Sequence, residues 1–73
     1  MEPIERFYIR RGAGEQKGWF VVQRFVLLGC RARPTGEQAF ETIEQARASL
    51  PPGAIGLGKS PLDTTNLIEV WTR

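Results

Sequence analysis

"WFVVQRFVLL", Trp19–Leu28, decides the fold. Its aromatic and β-branched residues suit a pleated, packed surface, so the stretch reads as a strand. Side chains alternate across a strand. Trp19, Val21 and Phe25 fall on one side, interrupted by Gln23. Phe20, Val22, Val26 and Leu28 fall on the other, interrupted by Arg24. Apolar residues therefore occupy both sides. The preceding "ERFYIRR" (Glu5–Arg11) also alternates, with Phe7 and Ile9 on one side and Arg6, Tyr8 and Arg10 on the other. That is the period of a half-buried strand. The glycine-bounded polar stretch "GAGEQKG" (Gly12–Gly18) between the two predicts an antiparallel hairpin.

After the hairpin, "GCRARPTGE" (Gly29–Glu37) breaks the apolar run. Cys30–Arg33 continue a strand after a bulge at Gly29, and Pro34 and Gly36 mark a turn. "FETIEQARASLPPG" then carries a helix over about 43–50. Thr42 is its N-cap, Gln45 stands at the capping-box spacing, and Pro51–Pro52 end it. A second reading starts the helix at Thr35, which "TGEQ" would cap; the shorter helix, with Gln38–Phe40 extended, is preferred. A brief extended piece is expected at Ala54–Leu57 and a last strand at "LIEVWT" (Leu67–Thr72). The expectation is one α+β domain over residues 1–73. It is a small single-layer antiparallel sheet in ββ(β)αβ order with one helix packed on one face.

One short helix covers one face of such a sheet. The apolar residues of the other face would then form an interaction surface, with Phe20, Val22, Leu67 and Trp71 as the candidates. Self-association as a homodimer is the expected use. A bulge between Gln23 and Leu28 would switch the alternation and leave the core one-sided.

Charge points to a second kind of partner. The chain carries a net +2, but residues 1–33 hold seven bases against three acids. Residues 34–73 hold three bases against five acids. Arg6, Tyr8, Arg10 and Arg24, with rings interleaved, form a candidate nucleic-acid surface on the hairpin.

Enzymatic chemistry finds little to stand on. Histidine is absent and Cys30 is the only cysteine. Cys/His zinc sites, intrachain disulfides and histidine-assisted nucleophiles are therefore excluded. Cys30, flanked by Gly29 and Arg31 with Arg33 nearby, is a candidate reactive thiol, but an inert residue at a strand end is the expectation. Glu41 and Glu44 fit the helix N-terminus, where negative charge complements the dipole. The string Gly53, Gly58, Lys59 and Ser60 spells G-x-x-x-x-G-K-S, the lettering of a phosphate-cradling loop. Such a loop needs a strand before it and a helix after it. Here a helix end precedes and a strand soon follows, so no nucleotide and no other cofactor is expected. No stretch is long and apolar enough to span a bilayer, which takes about 20 residues. "MEPIERFYIRR" lacks the apolar centre of a signal peptide. The expected setting is a cytoplasmic protein without a membrane partner.

"RFYIRR…GWFVVQRFVLLG…FETIEQA", about residues 6–46, resembles the WGR domain of DNA-end-sensing polymerases. The likeness lies in the Phe-Tyr opening strand, the position of the second strand and the F-x-T-x-x-x-A helix start. Phe25, Val26 and Leu27 stand where Trp-Gly-Arg would. The resemblance therefore implies shared architecture and carries over no functional residue.

Overall fold

The computed structural model describes residues 2–58 and 67–73. Strands β1 (Ile4–Arg11) and β2 (Phe20–Leu28) pair antiparallel with no register shift. The pairing runs from Ile4 opposite Leu27 to Arg11 opposite Phe20. The Gly12 N–H closes the loop between them by donating to the Trp19 carbonyl at 2.8 Å. Glycine is required at position 12, because a Cβ there would stand 2.0 Å from the Gln16 carbonyl oxygen.

The next strand corrects three readings. β3 is a continuous strand, Arg31–Phe40, antiparallel to β2. Gly29 is not a bulge; Gly29 and Cys30 are the two-residue turn of a tight hairpin. Gly29 has φ of 63°, whereas Cys30 does not take a positive φ. That combination belongs to the hairpin turn with glycine at its first central position. Pro34 and Gly36 do not turn the chain either. Arg24 pairs with Gly36 and Phe25 with Pro34, so Thr35 is the extra residue of a bulge. β3 is an edge strand, and an edge tolerates a proline because no neighbour needs its missing N–H. The helix start at Thr35 is likewise overturned, since Thr35–Phe40 are extended. The bulge lies in β3, so β2 keeps its alternation and stays apolar on both sides.

Helix α1 (Ile43–Ala48) is two residues shorter than expected. The Thr42 hydroxyl accepts from the Gln45 N–H at 3.1 Å. The Gln45 side chain returns to the backbone by accepting from the Glu41 N–H at 3.2 Å. At the other end the Ser49 hydroxyl donates to the Ala46 carbonyl at 2.7 Å, and Pro51 follows. β4 (Ile55–Gly58) lies one residue later than expected, and β5 (Leu67–Thr72) closes the chain as read.

Among the described residues the result is an α+β, sheet-dominated fold of five antiparallel strands and one α-helix. The strand order is β3-β2-β1-β5-β4, so β1 is central. Helix α1 covers the side bearing Phe7, Ile9 and Val22, with Ala46 buried against them. Phe20, Phe40, Leu50 and Trp71 close the rim of this core. The F-x-T-x-x-x-A pattern thus has a local cause: Phe40 packs, Thr42 caps, and Ala46 is small enough to bring the helix close. Each large apolar side chain so buried is worth about 1.5–3 kcal/mol. Arg47 ties the helix to β5, donating to both Glu69 carboxylate oxygens at 2.9 and 2.7 Å. No helix among the described residues is long and apolar enough to cross a membrane.

Candidate nucleic-acid interface

The register of the sheet sorts the candidate residues. In antiparallel pairing, residues directly opposite share a face. Phe7 and Ile9 face the helix, so Arg6, Tyr8 and Arg10 face the opposite, helix-free side. Arg6 stands opposite Phe25 of β2 and Thr72 of β5. Tyr8 stands opposite Gln23 and Val70. Arg10 stands opposite Val21 and Leu67. The open face therefore has a basic and aromatic centre on the middle strand.

These side chains hold one another. The Arg10 Nε donates to the Gln23 side-chain carbonyl at 2.6 Å. Its guanidinium carbon lies 5.7 Å from the Tyr8 ring centroid. Tyr8 in turn meets Phe25 edge to face, with centroids 5.3 Å apart and planes at 84°. Cation–π and edge-to-face contacts each contribute about 0.5–1.5 kcal/mol and fix ring orientation. Arg6 differs. Its Nε is buried without a hydrogen-bond acceptor. A buried donor without an acceptor is costly, more so on a charged group. In the strands described, Glu37 on the β3 edge is the only acid on this face, opposite Gln23.

Three of the four candidate interaction residues lie elsewhere. Phe20, Val22 and Trp71 face the helix; Val22 is fully buried and the other two pack against the core. They are not an uncovered patch, because α1 sits on their side of the sheet. Leu67 is half-buried and pairs with Arg10 on the open face. Arg24 is also corrected. It stands opposite Phe7 and so leaves the surface formed by Arg6, Tyr8 and Arg10. Phe25 and Gln23 take its place. Sequence reading missed them because the parity relating two strands depends on the register set by the Gly12–Trp19 loop.

The remaining candidates are placed as follows. Cys30 is exposed at the β2–β3 turn. Among the described residues no three metal-ligating side chains come together. In the phosphate-loop string, α1 and a turn precede Gly53, and Gly56 and Gly58 belong to β4, antiparallel to β5. Lys59 and Ser60 lie outside the described residues. On the helix side, Arg47 and Glu69 shift each other's titration, the arginine upward and the carboxyl downward. The hydrogen bond from Arg47 holds the Glu69 carboxyl below the usual carboxylate range, against a smaller opposing effect of burial. The Trp71 indole N–H adds a second donor to Glu69 at 3.3 Å.

No family model, curated protein or solved structure matches the chain.

Proposed function

We propose that this protein is a binding module for single-stranded nucleic acid and carries out no chemical step. The observation behind this reading is the pairing of Arg6, Tyr8 and Arg10 on the central strand with Phe25 beside them, on the face the helix leaves open. Arginines neutralise phosphates, and rings offer stacking surfaces to unpaired bases. The half-buried Tyr8 and Phe25 are already braced by their contacts, so little side-chain order remains to be imposed on binding. Arg6, whose Nε has no acceptor, adds a charged group that gains from a nearby phosphate. A single strand suits this surface better than a duplex, whose major groove admits a helix or a two-stranded ribbon rather than a broad sheet.

Fluorescence anisotropy with labelled oligonucleotides at low salt tests the reading. Single strands should bind more tightly than duplexes of the same sequence. Arg6→Ala with Arg10→Ala should weaken binding and flatten its salt dependence by about 1.4, at about 0.7 per phosphate contact. Absence of binding by the unaltered protein, or indifference to the double substitution, would refute it.

A further inference from the structure

We propose that the outer end of the β2–β3 hairpin is a second contact surface for the same nucleic-acid strand, which reaches it by crossing the β3 edge beside Pro34. The inference rests on the open-face reading above and extends it to the other side of the sheet.

On the helix side, the core packed under α1 includes Phe20 and Val22 from β2 but neither Val26 nor Leu28. Leu28 is 52% exposed. Arg33 stands opposite Val26, and Arg31 opposite Leu28. Arg24 shares their side by alternation along β2. Three arginines thus share this side of the hairpin with the half-buried Val26 and the exposed Leu28; Arg31 and Arg33 stand directly opposite that pair. Neither ion pair among the described residues involves them. Glu5, the acid that stands opposite Val26, is engaged by Arg73 at 3.6 Å.

The rows of the open face set the path. One row runs Thr72, Arg6, Phe25, Pro34 across β5, β1, β2 and β3. The next runs Val70, Tyr8, Gln23, Glu37 and ends in a carboxylate, which repels phosphate. The first row meets no acid. From β1 to β3 is two strand spacings, about 10 Å. At the edge, Pro34 presents no N–H, and the preceding residue, Arg33, points to the other side of the sheet. A strand leaving Arg6 over Phe25 and Pro34 therefore meets Arg33 and then Arg31 as it rounds the edge.

The test compares oligothymidylates of about 6 and about 20 nucleotides, lengths that bracket one small binding surface. The proteins are the unaltered chain and Arg31→Ala with Arg33→Ala. Both positions are exposed, and a thermal melt checks that the fold is kept. For the long oligonucleotide the double substitution should lower the salt slope by about 1.4. For the short one the slope should not change. A fluorophore on Cys30, the only cysteine and exposed at this hairpin's turn, should respond to the long oligonucleotide alone. An unchanged slope with the long oligonucleotide, while the short one still binds and still depends on Arg6 and Arg10, overturns this inference and leaves the open-face reading standing. An equal loss with both lengths also overturns it. If the unaltered protein binds neither length, both readings fall.

Discussion

The two faces of the sheet bury apolar residues by different means. On the helix side, Phe7, Ile9 and Val22 are sealed by a second layer, with Ala46 at the contact. On the open side, Val21 and Val70 are nearly as buried, at 4% and 5% exposure, with no helix above them among the described residues. Their cross-strand neighbours there are Arg10 and Tyr8. Long amphipathic side chains lay their stems over apolar neighbours and keep their polar ends in water. Side chains of neighbouring strands thus cover on one face what a helix covers on the other. The open face can be finished by residues which also remain available to a ligand.

Substitution at neighbouring positions of β1 should break this symmetry most sharply. Phe7→Ala should cost about 3–5 kcal/mol. A domain of this size holds no more than about 3–5 kcal/mol in total, so the variant should be largely unfolded by far-ultraviolet circular dichroism. Tyr8→Ala, one residue on, removes an edge-to-face contact of about 0.5–1.5 kcal/mol and should still fold. The reverse order would mean that the open face carries the core.

A smaller effect is expected at the helix start. Thr42→Ala removes the cap and should cost about 1 kcal/mol. In a chain of this length that lowers the melting temperature by about 4–8 °C. No shift would mean that the helix contributes little to sealing its face.

The smallest effect is at the Arg47–Glu69 pair. The folded carboxyl of Glu69 titrates below its unfolded value, so its stabilisation is complete well above 4.5 and is lost as the pH falls through the folded value. A melting-temperature series in acid should fall less steeply for Glu69→Gln than for the unaltered chain. Parallel curves would show that the pair contributes nothing measurable, as many exposed ion pairs do.

Much of this was legible in the residues. Local features were readable because their causes are local: the Thr42–Gln45 cap, the alternation of Phe7 and Ile9, the glycine-bounded loop before Trp19. Assignments across the sheet were not. Arg24 and Phe25 exchange roles on the strength of a register that one residue more or less in the loop would invert. Phe20, Val22 and Trp71 read as surplus only until the helix is seen to sit on their side. Pro34 and Gly36 carry turn chemistry, yet an edge strand with a bulge satisfies them equally well.

The place of β5 has a kinetic consequence. β1, β2 and β3 are joined by short connections and pair with their neighbours in sequence. β5 must instead return across most of the chain to lie against β1, a closure with a large entropic cost and a slow rate. Its arrival delivers Trp71 to the core rim, Glu69 to Arg47, and a pairing partner to β4. Docking of this one strand is therefore expected to limit the folding rate, which a slower refolding of Trp71→Ala in stopped-flow fluorescence would check.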